Sequence, residues 1–447
     1  MSRHYTLRPP RFTVQFKPSE KATVHGGQMA VAAVMERFGL KRRVKRCAAL
    51  DPRTDHHKGY DPEVYVMGIV YALTSGGCTL AEVEKLSEDE ALKACLGVKR
   101  FPDESSVGEW MRHVGEKGAE AIRRIVREFV EWSFAQADGA RYRHGGQVEC
   151  FFDDTQIEVS GRTFEGATIN YEGELALSWQ TLWVGPFLAD GFLGANGDVS
   201  SQMEALFRAN GHLWKPAEAY LYADSASSAG TYLKAIGTRF DQWSVSYNRW
   251  TEPLERLAES FPDGYWSPAV HRRGRKGEEL REQYAWLRHQ PEGMSEPVQY
   301  AVARYRSQED LFWRYSFIAT HASNGAAQGV FERHRLKGDF ERRFSELLSD
   351  LDLHHPPCAS LAANRVYYAL ATLAYNILQA LKLIWMPADE QGLRVRTLIH
   401  RLLLIPVEIK RHARHIVACF YLPGHAAHWW RHFLDLVLPR CQVAWSG

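Results

Sequence analysis

Two adjacent carboxylates, Asp153 and Asp154, break an apolar run, Cys150-Phe151-Phe152, and Ile157 and Val159 then resume the alternation. The period is that of a β-strand. A buried carboxylate is costly unless something compensates its charge, so at least one of the pair should face a cation or another charged ligand. Alternation puts the two on opposite faces, and the spacing alone leaves open which one that is. Two further acidic positions can complete a site: Asp224, after the strand-like AYLYA, and Glu341, in a helix-patterned stretch. Three carboxylates at one point repel one another and raise each other's pKa unless cations neutralise them. Hard divalent ions suit such oxygen ligands, Mg²⁺ first and Mn²⁺ as a substitute. Two ions about 3.5–4 Å apart activate a water or a 3′-hydroxyl and stabilise the leaving oxygen of phosphoryl transfer.

Taken singly, these residues have plainer readings. Asp224 after a strand fits a helix N-cap, and Glu341 fits a solvated charge on a surface helix. The order strand-Asp, strand-Asp, insertion, helix-Glu is what favours a shared site. Trp179, Trp183, Trp243, Trp250 and Trp266 read as core, although Trp250 or Trp266, flanking a basic stretch, can stack on a base. Asp190 and Asp198 lie in turn-rich sequence and read as structural, and His354-His355 reads as a loop.

The elements that would position the three acids follow from periodicity. Residues 1 to about 25 alternate as an extended segment. From Gly27 to Asp138 the pattern is helical, with Thr79-Leu-Ala-Glu82 as a capping box, Pro102–Ser106 opening a further helix, and Ala119 to Ala135 long and amphipathic. After Gly145-Gly146 the period becomes two. Strands are expected at 148–159, 174–184, 187–193, 219–223 and 243–247, with helices at 201–209 and 229–236. This βββ-α-β-α-β order is that of a ribonuclease H-like core. Residues 251–306 carry an Arg272-Arg273-Gly274-Arg275-Lys276 run with Pro262, Pro268, Pro291 and Pro297, and read as a β-rich insertion. One helix is expected from Ala326 to Leu351, with Phe340, Phe344, Leu347, Leu348 and Leu351 as its apolar stripe. His334, Lys337 and Glu341 share a second face of it. A buried helix follows from Ala359 to Leu383, and the tail after Pro387 reads as helical and basic. The fold class is therefore multidomain α/β. The expected parts are a helical DNA-binding or dimerisation region (1–145), a core in two pieces (146–250 and 307–385), the insertion (251–306) and the tail (386–447).

The composition is that of an ordinary globular protein: 447 residues, 45% hydrophobic, 24% charged, formal net charge +2. A nucleic-acid partner does not follow from the total, but basic clusters at Lys41–Arg46, Arg272–Lys276 and Arg411–Arg414 are local phosphate-binding candidates. Seven scattered cysteines without a C-x-x-C pair suggest reduced thiols in a cytosolic compartment and no zinc ribbon. The N-terminus lacks a signal-peptide core, and no apolar stretch reaches the length of a membrane span.

FFDDT, LYADS and RLKGDFERRFSELLSDL together resemble the three acidic motifs of DDE insertion-sequence transposases, in the bacterial branch with a β insertion before the Glu. The segments Asn364-Arg-Val-Tyr-Tyr and Ala374-Tyr-Asn376 resemble the helix that follows. The likeness spans about 145 to 385. It implies catalytic, metal-binding roles for Asp153, Asp224 and Glu341, with Thr155 favouring Asp153 over Asp154. It also implies cut-and-paste transposition, with the element's terminal inverted repeats and target DNA as substrates and a homodimer as the working unit, in the bacterial cytoplasm and on the nucleoid. Arg333, His334, Arg335, Lys337, Arg342, Arg343, Arg272, Arg273, Arg275 and Lys276 are the expected DNA contacts. The branch often carries Tyr-x-x-Arg-x-x-x-Glu-x-x-x-x-x-x-Lys, whereas here His334, Lys337 and Leu348 occupy the Tyr, Arg and Lys positions. Lys337 keeps the charge but not the bidentate fork. The rival readings are an inactive transposase-derived DNA-binding protein and another ribonuclease H-like nuclease.

Overall fold

The structure, a computed structural model, describes residues 19–430 apart from 162, 171, 196–199, 249–250, 275–276, 322–324, 413–414, 423, 425–426 and 428–429. The chain enters through a short strand, β1 (Ala22–Thr23), and a run of helices: α1 (Gln28–Phe38), α2 (Leu40–Lys45), α3 (Pro62–Thr74), α4 (Ala81–Glu88), α5 (Glu90–Leu96) and α6 (Glu104–Gln136). Asp103 caps α6 by accepting from the Ser106 amide, as its sequence suggests. Gly115, at φ 48°, kinks α6 near its middle. The expected capping box at Thr79 does not form. The N-cap of α4 is Leu80, without a side-chain bond, and the Glu82 carboxylate pairs with Lys85 at 2.7 Å instead.

Beyond α6 the period changes as expected. The strands β2 (Arg143–His144), β3 (Gln147–Glu158), β4 (Thr168–Ile169), β5 (Leu175–Val184) and β6 (Phe187–Ala195) are followed by α7 (Met203–Asn210), β7 (Ala219–Ala223), α8 (Gly230–Gly237) and β8 (Gln242–Tyr247). β6, β5 and β3 pair antiparallel, while β3, β7 and β8 pair parallel. This is a ribonuclease H-like core.

The stretch expected as a β-rich insertion begins with a helix, α9 (Glu252–Glu259). It continues with β9 (Val270–Arg273), β10 (Glu279–His289) and β11 (Val298–Arg306), and β12 (Arg314–Thr320) follows. These four strands extend the core sheet antiparallel from β8 in the order β12-β11-β10-β9, giving one sheet of 11 strands. The single helix expected over 326–351 is two, α10 (Ala327–His334) and α11 (Lys337–Ser345), broken at Arg335-Leu336, with a π-turn from Glu346 to Asp350.

The buried helix α12 (Leu361–Ala380) packs on α6, α3 and β6. Its Asn376 clamps β6, donating to the Leu188 carbonyl (2.8 Å) and accepting from the Leu188 amide (3.1 Å). The tail departs from its expected helical form. After the one-turn α13 (Val395–Leu398) come β13 (Val407–His412) and β14 (His415–Phe420), which pair with β1 in a small sheet. Val407 and Ile409 are buried and alternate with Glu408 and Lys410, a period-two pattern that suits a strand covering Ala91 of α5. Among the described residues, no helix is long and apolar enough to cross a membrane.

Candidate active site

Asp153 and Asp224 are brought together by strand register. In the parallel pair β3–β7, Phe151 lies opposite Tyr222 and Phe152 opposite Ala223. Asp153 and Asp224 each stand two residues past the ring pair Phe151–Tyr222, hence on the same face. The rings stack with centroids 4.8 Å apart, and Phe340 of α11 stacks on Phe151 at 4.5 Å. Phe344 adds contacts to Trp179 and Trp183. The apolar stripe of α11 thus seats that helix over the face from which Asp153 projects, and Glu341 follows Phe340 directly. Asp154 points the other way, where its carboxylate accepts from the Ser178 hydroxyl at 2.9 Å. The structure therefore sets Asp153, and not Asp154, beside Asp224.

The electrostatics agree with this placement. Burial pushes the Asp153 carboxyl up to about 6; Asp224 and Glu341 push the same way, against the pull of Lys337 and a bond from the Asp154 amide. Asp224 accepts from the Ser225 amide at 2.6 Å, capping a short 3₁₀ turn, as its plain cap reading expects. Its other oxygen lies 3.6 Å from Lys337 Nζ. Glu341 is exposed. Among the described residues, no three His, Cys, Asp or Glu side chains stand close enough to hold a metal as they are. The donors nevertheless fit one: they are hard carboxylate oxygens, one half-buried with its pKa raised, and the Lys337 ammonium already answers their demand for positive charge.

The expected DNA contacts divide. His334 is half-buried against β8, and its two ring nitrogens sit 2.8 Å from the Ser244 and Ser246 hydroxyls, turned away from an expected DNA contact. Burial, reinforced by Lys337, lowers its pKa to about 4. Arg333 is likewise held inside. It lies 3.7 Å over the Tyr220 ring and donates to Tyr222 Oη (3.2 Å) and Gln147 Oε1 (2.8 Å). Arg335 and Arg342 are exposed, and Arg343 donates to the Gly185 carbonyl at 2.9 Å. Arg272 on β9 pairs with Glu282, and Arg273 is exposed. Arg275 and Lys276 lie outside the described residues, as does Trp250, while Trp266 is buried beneath Arg304. Lys382, buried just past the end of α12, is a charge that local pattern did not single out, because it sits in an apolar run with no motif around it.

The model of the family "Transposase DDE domain group 1" matches residues 184–440, more than half of the chain. The chain belongs to this family. It is a DDE-type transposase, in a family that acts on DNA and generally uses divalent metals. The match takes in Asp224 and Glu341, whereas Asp153 lies N-terminal to it. No curated protein matches the chain significantly.

Proposed function

We propose that this transposase binds the terminal inverted repeats of its element and carries out metal-dependent cleavage and strand transfer, in the cut-and-paste manner. The observation that carries this is the triad itself: two aspartates at the ends of adjacent parallel strands, and a glutamate on the helix packed over the same face. In this reading Asp153, Asp224 and Glu341 hold two Mg²⁺ ions, which supply Lewis-acid stabilisation of the attacking and leaving oxygens. Asp153, fixed on β3 by its register and by burial, sets the depth of the site. Asp224, 3.6 Å from Lys337 Nζ, would supply a second carboxylate to the metal, and Lys337 would remain beside it as a cation for a DNA phosphate. Glu341, exposed on α11, closes the site from above. Arg335, Arg342, Arg343, Arg272 and Arg273 contact phosphates, which positions the duplex without reading its sequence. The helical region before β2 provides DNA binding or dimer contacts, and the active form is a homodimer.

The test is cleavage of a labelled duplex carrying the element's terminal repeats, with Mg²⁺, by the full chain and by Asp224→Ala and Glu341→Ala. Cleavage by the parent, and its loss in both variants with DNA binding retained, is the expected result. A parent that binds ends yet never cuts with Mg²⁺ or Mn²⁺ establishes the inactive-binder reading instead. Cleavage without strand transfer points to another ribonuclease H-like nuclease.

A further inference from the structure

A second site lies along the same face of the sheet, past the acidic triad. A cavity of about 220 Å³ opens between the C-terminal half of α11, the end of α12, and Gln391–Leu393. That is several times the volume of one water. Four cationic side chains line it, Arg141, Arg342, Arg343 and Lys382, against two carboxylates, Glu149 and Glu346.

The charges in this cavity do not balance internally. Among the described residues, Arg141, Arg342 and Arg343 have no carboxylate within 4.0 Å, and only Lys382 reaches one, Glu346 Oε2, at that limit. Arg141 and Arg343 donate to backbone carbonyls, Ile384 and Met386 for the first and Gly185 for the second. Carbonyl oxygens orient a guanidinium without neutralising it. The Arg342 guanidinium makes no hydrogen bond or ion pair among the described residues. Lys382 is 5% exposed and donates to the Leu393 carbonyl at 2.8 Å. Burial, with Arg343 and Arg342 close by, lowers its pKa to about 8 against the pull of Glu346. Glu149 is engaged elsewhere by the Tyr222 hydroxyl, at 3.3 Å. Guanidinium groups held in a fixed fork are built for phosphate oxygens.

We infer that this cavity is a phosphate-binding site in which Arg141, Arg342, Arg343 and Lys382 enclose one phosphate group. Its placement names the source. Glu341 and the cavity residues Arg342, Arg343 and Glu346 lie on one continuous helical stretch, with about 7 Å of rise from the first to the last. That is roughly two nucleotides along a strand. The group is a backbone phosphate about two nucleotides from the reacting one. This attribution to DNA rests on the proposed function; the anion site itself does not.

The experiment has two arms, both on the full chain. In the first, inorganic phosphate is titrated into the parent, Arg342→Ala and Lys382→Met, and binding is followed by ³¹P line width. Saturable binding by the parent, weakened at least tenfold in Arg342→Ala, is expected. Lys382→Met removes a buried bond and can fail to fold, whereas Arg342→Ala is exposed and keeps the test sharp. Absence of saturation, or unchanged affinity in Arg342→Ala, overturns the site. In the second arm, single methylphosphonates replace each phosphate flanking the cleavage point of an end duplex. One position should weaken parent binding about tenfold and leave Arg342→Ala no weaker than it already is. If phosphate binds as expected but no methylphosphonate position matters, the source is a free phosphate and the DNA attribution is overturned. If the protein neither binds nor cuts DNA ends while phosphate binding still depends on Arg342, the proposed function falls and the anion site stands.

Discussion

Two carboxylates sit on the same sheet, and their surroundings differ in kind. Asp190 of β6 is buried and meets Arg123 Nε at 2.7 Å, Arg127 Nη1 at 2.8 Å and Asn210 Nδ2 at 3.0 Å. Its charge is answered within the protein, from α6 and α7. Asp153 of β3 has two acids for neighbours, Asp224 and Glu341, with one lysine among them, and its pKa is raised to about 6. Burial alone does not distinguish a structural acid from a functional one. The sign of what surrounds it does: an acid supplied with arginines ties helices to the sheet, and an acid supplied with acids needs a cation from outside.

The largest expected effect of breaking this contrast is on chemistry. Asp153→Asn and Glu341→Gln should each lower Mg²⁺-dependent cleavage of end DNA by at least ~10³-fold, about 4 kcal/mol in the barrier, while near-native circular dichroism is retained. Asp190→Ala should act the other way round. It leaves Arg123 and Arg127 facing a buried vacancy and costs about 3–5 kcal/mol of stability in urea unfolding, and the protein that remains folded should still cut.

His334 sharpens the contrast through pH. Its folded pKa of about 4 lies below the 6.5 of a free imidazole, so the folded state binds fewer protons than the unfolded chain between those values. The stability it contributes is complete above pH 6.5 and is lost as pH falls toward 4, by up to about 3 kcal/mol. His334→Asn should flatten the urea midpoint over that window. Asp154→Asn is the smallest change. The Ser178 hydroxyl keeps an amide oxygen to donate to, so cleavage should stay within about threefold of the parent and stability within about 1 kcal/mol.

Much of this was legible in the sequence because it is local. The period-two run through Phe151 and Asp153, the strand AYLYA ending at Asp224, and the stripe Phe340, Phe344, Leu347 each encode a face as well as an element. What the sequence hid depends on which groups meet across space. The face chosen by Asp153 came from pairing with β7, and the break before Lys337 came from docking α10 through His334 on β8. The hairpin at 407–420 lies in a basic, aromatic tail whose alternation spans only a few residues. The cavity draws Arg141 and Lys382 from positions 241 residues apart, and no window of sequence contains both.

The contrast between the two aspartates is tested most directly by thermal unfolding of the DNA-free chain during a Mg²⁺ or Mn²⁺ titration, parent against Asp153→Asn. A ligand bound only by the folded state stabilises by about 2.7 kcal/mol at one hundred times its Kd. The parent's Tm should therefore rise saturably with metal, and that rise should be absent in Asp153→Asn. An equal rise in both proteins would contradict a metal site built on Asp153.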